Sequence, residues 1–331
     1  MRFKSILLLL SAASLAILPS CHKKDEDSET DPFLNGTVSF SIPSFVKVGE
    51  QLTVTPKGAV NPTGNVGYYW SSTWNSTRDT VKTESGSGDG TWTMTVPLAT
   101  GVYTVTVGAF AENYSSISSY KKFTVVDPSL EGSLKGAGYE TGSSLVDSRD
   151  NGVYYLTTAG DKVWMQNNLY YSGSGVSYEN SVAMDPIVGR FYTWNEAVTA
   201  CPEGWRLPTD KEFSAMTGST TTGETLSNVA GSLMVNATFN GQKLWTFWPD
   251  VKITNSAKFS AIPIGYAVDQ EGYMKYMGSS QYATFWTSDN SDDSAIYRYI
   301  YVAKNDIYLG YGDKESFRAS VRCVKDDNNG E

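Results

Sequence analysis

The sequence predicts a mainly β protein with an α+β C-terminal domain. Between residues 33 and 127, apolar and polar residues alternate in short runs separated by turn residues, as in Val38, Phe40 and Ile42. A period of two predicts strands with one buried face, and several such strands predict two packed sheets. Farther along, two short helices are indicated by their N-terminal residues, and the strand pattern returns from Phe259.

Each predicted helix begins with a capping box. Thr193 and Glu196 form the first box, and Thr209 and Glu212 form the second. In such a box each side chain accepts a hydrogen bond from a backbone N–H that the helix leaves free. Before the helices, residues 152–156 and 162–165 read as a hairpin with a Gly-Asp turn.

The first residues of the chain have the pattern of a secretory signal. Arg2 and Lys4 precede a short apolar run that ends in small residues before Cys21. This end resembles the lipobox of bacterial lipoproteins, in which the cysteine is acylated and becomes the new N-terminus. The acidic run after Lys23 is similar to the surface-export tag of Bacteroidetes lipoproteins. The alternative is an ordinary signal peptide with a spare thiol.

The overall charge argues against polyanionic partners. The formal net charge is −9, and removal of Arg2 and Lys4 with the leader makes it −9 − 2 = −11. No basic stripe is present to neutralise phosphates, so binding to nucleic acid is not expected.

The single histidine limits the chemistry. His22 lies beside the predicted anchor, in a segment too polar to fold. No histidine therefore remains for a catalytic triad or an imidazole metal site in the folded part. The sequence contains many Asp and Glu residues, but no pattern shows that two of their carboxylates lie at the separation that glycosidase chemistry requires. We expect no enzymatic activity, no catalytic residue, no metal and no cofactor.

The three cysteines divide into one anchor and one pair. With Cys21 acylated, Cys201 and Cys323 remain as an even pair in an oxidising compartment. A bridge between them would close a long loop, and two separate buried thiols are the alternative.

Composition and pattern divide the chain into six segments. They are a lipoprotein signal peptide at 1–20, an acidic tether at 21–32, a β-sandwich at 33–127, a Gly- and Ser-rich linker at 128–146, a C-terminal domain at 147–326 and a tail at 327–331.

The sandwich region resembles PKD-type, immunoglobulin-like modules. Residues 101–107, Gly-Val-Tyr-Thr-Val-Thr-Val, are similar to the penultimate strand of that family, and Tyr68-Tyr69-Trp70 takes the place of its core aromatic strand. Such modules mostly act as spacers or docking units, so the resemblance implies an Ig-like sandwich that carries no site residues.

The C-terminal domain resembles the Fibrobacter succinogenes major paralogous domain. The resemblance rests on residues 162–169 (Lys-Val-Trp-Met-Gln-Asn-Asn-Leu), 189–194, 201–209 (Cys-Pro-Glu-Gly-Trp-Arg-Leu-Pro-Thr) and 320–324 (Ser-Val-Arg-Cys-Val) in that order. The family looks related to the C-type-lectin-like fold, and this relation implies two helices, a small twisted sheet and a bridge between Cys201 and Cys323. The calcium-binding tripeptides of sugar-binding C-type lectins are missing from the sequence.

Aromatic residues crowd the C-terminal domain near amides and carboxylates. Sugars stack on aromatic rings, and tyrosine also suits protein recognition. The alternation in Tyr297, Tyr299 and Tyr301 places these three on one face, which lines either a groove or the core. The candidate ligand-binding residues are Trp248, Tyr273, Tyr276, Asp289, Asn290, Tyr299, Tyr301, Tyr308 and Tyr311.

These observations predict a non-enzymatic surface lipoprotein, anchored in the outer membrane and facing outward. Its lectin-like domain would bind an extracellular ligand, a glycan in the first hypothesis. In the alternative, the same tyrosine-rich face serves protein adhesion or the assembly of a fimbria or other surface structure. The expected partners are therefore an extracellular glycan or a surface protein, and the membrane through the lipid.

Overall fold

The structure is a computed structural model that describes residues 31–73, 82–84, 90–246 and 251–327. In this part of the chain the fold is mainly β, with short helices confined to the C-terminal half. None of its helices is long and apolar enough to cross a membrane. Cys21, most of the predicted tether, Trp248 and the end of the tail lie outside the described residues.

Nine strands form the N-terminal half. They are β1 Asn35–Ser39, β2 Phe45–Lys47, β3 Gln51–Val54, β4 Lys57–Val60, β5 Gly67–Ser72, β6 Lys82–Glu84, β7 Trp92–Thr95, β8 Gly101–Ala111 and β9 Tyr114–Val126. One sheet has the order β2-β9-β8-β5-β6, and the pairs β1-β4 and β3-β7 form two more sheets. β2 runs parallel to β9, whereas the other pairs in these sheets are antiparallel.

These sheets share one core. Alternate residues of β8 and β9 point inward, and Val105, Val107 and Val125 are fully buried. Trp70 packs edge-on against Phe40 beneath them, at a ring distance of 6.0 Å. Period-two alternation thus forms buried faces here, as the sequence predicts.

The C-terminal half contains many short elements. Its strands are β10 Leu134–Lys135, β11 Ser144–Val146, β12 Val153–Ala159, β13 Lys162–Met165, β14 Val176–Ser177, β15 Arg190–Phe191, β16 Trp205–Arg206, β17 Thr238–Phe239, β18 Gln242–Lys243, β19 Tyr266–Gln270, β20 Tyr273–Met277, β21 Tyr282–Asn290, β22 Ser294–Tyr301, β23 Ile307–Asp313, β24 Phe317–Arg318 and β25 Val324–Lys325. Its α-helices are α1 Asp185–Val188, α2 Trp194–Ala200, α3 Asp210–Ala215 and α4 Ala230–Leu233, with 3-10 turns at Tyr178–Asn180 and Val182–Met184.

The strands of this half form several small sheets. The orders are β11-β12-β13-β25-β16, β21-β22-β23, β20-β19-β24, β10-β17-β18 and β14-β15. The segment predicted as a linker, 128–146, contains β10 and β11 and buries Leu134 and Ala137.

Both capping boxes are present. The Thr193 hydroxyl accepts from the Glu196 N–H, and the Glu196 carboxylate accepts from the Thr193 N–H; Thr209 and Glu212 do the same at α3. The short helix α2 buries mainly Ala197 and Ala200, whereas Val198 is 40% exposed.

The disulfide bond between Cys201 and Cys323 is confirmed. Cys201 caps the C-terminus of α2, and Cys323 precedes β25, with 5.9 Å between their Cα atoms. The bridge spans 122 positions of the sequence. It therefore ties the helical region to the end of the chain and removes much of the loop freedom of the unfolded state.

The two halves meet along a direct seam. The Phe45 ring of β2 packs edge-on against Tyr178 at 5.9 Å and against Phe239 at 6.4 Å. Two hydrogen bonds join main-chain carbonyls of the N-terminal half to side chains of the C-terminal half: Ser181 Oγ donates to Phe45 O at 3.0 Å, and Asn240 Nδ2 donates to Val125 O at 3.2 Å.

The Gln-Asn-Asn run after β13 connects distant segments through its side chains. Gln166 donates to the Lys258 carbonyl at 2.8 Å, and Asn167 accepts from the Tyr155 N–H at 3.0 Å. Asn168 donates to the Val188 carbonyl at 2.8 Å. Each amide thus forms a hydrogen bond with a backbone group of another segment.

Arg322, which lies just before β25, adds further hydrogen bonds to this network. Its guanidinium, 1% exposed, donates from Nε to Asn168 Oδ1 at 2.6 Å. It also donates to the carbonyls of Met165, Phe259 and Ser260. Burial lowers the pKa of Arg322 to about 9, which leaves the group charged at neutral pH.

Arg322→Met should strongly destabilise the protein. The substitution keeps the buried aliphatic stem but leaves the Asn168 oxygen and the three carbonyls without this donor, and each unsatisfied buried acceptor costs about 1–3 kcal/mol. We expect urea denaturation, followed by tryptophan fluorescence, to show a free energy of unfolding lowered by about 3 kcal/mol or more.

Lys275→Met is the matched control, because Lys275 is exposed and surface substitutions usually change stability by less than about 0.5 kcal/mol. Equal stability of the two variants would contradict the role assigned to Arg322.

Candidate functional site

The sheet β21-β22-β23 has two different faces. Its register is continuous across β22 and β23, with Tyr299 opposite Tyr308 and Tyr297 opposite Gly310. Because side chains alternate along a strand, Ala283, Phe285 and Ile300 point into the core and are buried. Tyrosines point to the other side.

A buried ion pair holds the core face in place. Arg298 of β22 donates to both carboxylate oxygens of Asp210, the first residue of α3. The side chains are 0% and 3% exposed. Arg298 also donates to the Glu224 carbonyl. This two-point contact fixes β22 against α3 and thus fixes the orientation of the tyrosines on the opposite face.

We call the five tyrosines of that opposite face the tyrosine ladder. Its members are Tyr282, Tyr297, Tyr299, Tyr301 and Tyr308. All five are half-buried. The sequence left open whether these tyrosines line a groove or the core. In the structure they form a partly exposed row of rings.

Neighbouring rings of the ladder face each other. Tyr282 stacks on Tyr301 with 5.0 Å between ring centroids, and Tyr299 stacks on Tyr308 at 5.1 Å. Tyr282 and Tyr299 lie 6.1 Å apart and link the two pairs. The stacked faces are therefore occupied by other rings, and the ladder presents ring edges and hydroxyl groups to a ligand. This differs from the stacking of sugars on ring faces that the composition suggests.

The two ends of the ladder differ in exposure. At one end Tyr297 is covered by Phe317 of β24, which stacks on it at 4.6 Å. Gly310 lies beneath the Tyr297 ring, where a Cβ would clash with it. At the other end, Tyr266 packs edge-on against Tyr282, with 6.3 Å between ring centroids, and the two stacked pairs remain half-exposed.

The ladder hydroxyls can donate to a ligand. The Tyr308 hydroxyl donates to Asp306 Oδ2 at a long 3.4 Å. Within residues 31–73, 90–246 and 251–327, no hydrogen bond engages the hydroxyls of Tyr282, Tyr299 or Tyr301. Burial, followed by the neighbouring tyrosines, raises the pKa of Tyr282, and burial, followed by Asp306, raises that of Tyr308. Both phenols therefore stay protonated at neutral pH.

Tyr273 and Tyr276 lie in a different sheet, on β20. Tyr273 is 77% exposed. Tyr276 has a structural role: its hydroxyl donates to the Ser177 carbonyl at 2.8 Å, and its ring packs 6.1 Å from Phe191. The structure does not bring either residue to the ladder.

Asp289 and Asn290 end β21 and serve the fold. The Asp289 carboxylate accepts from the Asp210 N–H at 2.6 Å, at the start of α3. Asn290 Oδ1 accepts from the Lys314 ammonium at 2.9 Å. These groups hold the helix and the hairpin tip, and they do not line the ladder.

Tyr311 points away from the ladder. It alternates with Gly310 and Gly312 along β23, so its ring lies on the other side of the sheet, where it is 66% exposed. Of the nine candidates, the structure thus brings together Tyr299, Tyr301 and Tyr308. The candidates predicted from the sequence include neither Tyr282 nor Tyr297. The alternation of Tyr297, Tyr299 and Tyr301 nevertheless indicated that Tyr297 shares a face with the other two.

The side chain of Lys314, which directly follows β23, reaches the tip of the hairpin between β21 and β22. Its ammonium donates to Asn290 Oδ1 and to the carbonyls of Ser291 and Asp292, and it lies 4.6 Å from the centre of the Trp194 ring. The Lys314 ammonium thus binds the oxygens at the tip of this hairpin. The described part of the chain contains no group of three acidic, Cys or His residues that could hold a metal ion.

A separate groove of about 510 Å³ lies at the seam between the halves. Phe45, Tyr178 and Phe239 contribute to its walls, together with Leu244 and Ile264. It lies away from the ladder, and none of the nine candidate residues lines it.

Comparison with known proteins gives one family match for this part of the chain. No curated protein matches the sequence. The family model described as the Fibrobacter succinogenes major domain matches residues 157–325, which is 169 of 331 residues. This range contains the Gln-Asn-Asn run, both capping boxes, the disulfide and the ladder. The chain belongs to the Fibrobacter succinogenes major domain family.

Proposed function

We propose that this protein is a non-enzymatic, lipid-anchored surface protein that binds an extracellular glycan through the tyrosine ladder. The observation that carries the proposal is the row of stacked, half-exposed tyrosines with available hydroxyls. In this proposal an Ig-like sandwich acts as a spacer, and a C-type-lectin-like domain presents the ladder outside the cell.

The chemistry of the ladder suits a neutral polyhydroxylated ligand. Phenol hydroxyls both donate and accept hydrogen bonds, as sugar hydroxyls do. Stacked rings also lose little conformational entropy on binding, since their neighbours already hold them. The negative charge of the chain disfavours polyanionic glycans at long range. Protein adhesion is the alternative, because rigid tyrosines also suit protein contacts.

The proposed anchor depends on Cys21, in the predicted leader. A single acyl chain gives only marginal attachment, and two or more chains hold a protein stably. The acidic tether would keep the folded part away from the lipid surface.

Tyr299→Phe should weaken glycan binding about fivefold, because one hydrogen bond contributes about 1 kcal/mol and the ring stack remains. Calorimetry against a panel of neutral host and plant polysaccharides, with affinity gel electrophoresis as a first screen, measures this effect. Tyr273→Phe is the control, since this exposed tyrosine lies outside the ladder.

Two results would count against this mechanism. If Tyr299→Phe binds normally and Tyr299→Ala does not, the ligand contacts ring surfaces and not hydroxyls. If no polysaccharide binds while a protein partner binds tightly, the glycan proposal is wrong and adhesion takes its place.

Glycan binding should persist in the presence of EDTA. The ladder offers hydroxyls and the Lys314 ammonium already gathers the oxygens of the neighbouring hairpin tip, so no calcium ion is needed to shape the site. The same calorimetric titration, repeated with chelator and then with added calcium, tests this expectation. Loss of binding in EDTA and its return with calcium would disprove it.

Cys21→Ser should move the protein from the membrane fraction to the soluble fraction. The substitution removes the thiol that the acyl chain needs. Fractionation of cells and detergent phase partitioning measure the change, with Ser28→Ala as the control in the tether. If Cys21→Ser partitions into the membrane fraction as the unchanged protein does, the proposed lipid anchor at Cys21 is wrong.

A further inference from the structure

The outer edge of β23 carries free main-chain hydrogen-bonding groups. Leu226 exchanges two main-chain hydrogen bonds with Ile307, both 2.9 Å, on the side of β23 that faces away from β22. In an antiparallel pair the direction of these groups alternates from residue to residue. The N–H and C=O groups of Leu309, Tyr311 and Asp313 must therefore point to the outer side as well.

No described main-chain group meets these three residues there. The chain leaves β23 over the ladder side, where Phe317 packs on Tyr297, and so it does not return along the outer edge. The strand contains no proline or lysine, the residues that commonly protect an edge from pairing. Tyr311, at the centre of the open stretch, is 66% exposed.

We propose that this edge pairs with the β23 edge of a second copy of the chain. The open stretch is symmetric about Tyr311, so an antiparallel twofold pair places Tyr311 opposite its own copy and Leu309 opposite Asp313 of the partner. These three residue pairs exchange two hydrogen bonds each. A shift of the register to either side would leave outward groups of each strand unpaired, because Ile307 is already occupied by Leu226.

The symmetry has a consequence for the ladder. The twofold axis of an antiparallel pair is perpendicular to the sheet, so both ladders lie on the same side of a six-stranded sheet. Two ladders on one side could engage one polymeric ligand together, and the second contact would then be intramolecular. This consequence depends on the proposed glycan function, whereas the pairing itself does not.

The pairing is expected to be weak in dilute solution. An interface of one strand edge lies well below the roughly 1,200 Å² that stable complexes bury. The association should therefore be detected by a covalent trap. Tyr311→Cys places a thiol at the twofold axis, and Tyr273→Cys places one at a similarly exposed position on β20. Both variants also carry Cys21→Ser, because Cys201 and Cys323 are already bridged and Cys21 would otherwise add a second reactive thiol.

The experiment oxidises each full-length variant with diamide and follows dimer formation on non-reducing gels at several protein concentrations. Tyr311→Cys should form the dimer at least roughly tenfold faster than Tyr273→Cys, because pairing raises the effective thiol concentration. A synthetic peptide of residues 305–313 should slow the reaction by occupying the edge. The same peptide N-methylated at positions 309 and 311 should not, because it lacks two of the donors.

Equal rates for the two cysteine variants would overturn the proposal. So would binding of the peptide to the edge without any preferred crosslink at position 311, since the edge would then accept foreign strands but not its own copy. Neither result bears on glycan binding, which is measured with Tyr299→Phe and is independent of this edge.

Discussion

The buried guanidinium of Arg322 is the contact on which the C-terminal half depends. No carboxylate bonds to it within the described residues; its charge is balanced by the Asn168 oxygen and by carbonyls from three other positions. It also lies 4.5 Å from the centre of the Phe259 ring. A buried charge is costly unless all its donors are used. These segments must therefore converge on one geometry, and the neighbouring Cys323 holds that geometry covalently.

Because these segments meet at Arg322, the C-terminal half can present a rigid surface although its strands are short. An isolated two-stranded sheet is marginal in water, and here buried polar contacts between the small sheets add stability. The Arg298–Asp210 pair fixes β22 on α3. On the ladder side of the sheet, the buried Trp286 indole packs against Tyr297 and donates to the Tyr192 carbonyl at 2.8 Å. The tyrosines above need no ligand to hold them, so binding would cost little reorganisation.

The ladder combines rigidity with an open hydrogen-bonding surface. Stacking of Tyr282 on Tyr301 and of Tyr299 on Tyr308 uses the apolar ring faces within the protein and leaves the polar ring edges outward. Lys314 in turn supplies the positive charge at the hairpin tip. We therefore favour recognition of hydroxyl groups by a site that uses neither ring faces nor a metal ion.

Features that depend on local geometry or on simple counting can be predicted from the residues in order. Each capping box needs only two residues three positions apart. The Cys201–Cys323 bridge was predicted by counting once Cys21 is assigned to the predicted anchor, with two separate thiols as the alternative, and the structure confirms it. The mainly β class follows from period-two alternation. Which tyrosines meet depends on the tertiary structure. Tyr276 became a structural residue, Tyr311 faced the other side and Asp289 became a helix contact, because register and inter-sheet packing join segments far apart in the chain. Tyr282 entered the ladder for the same reason: only the pairing of β21 with β22 places its ring beside Tyr301.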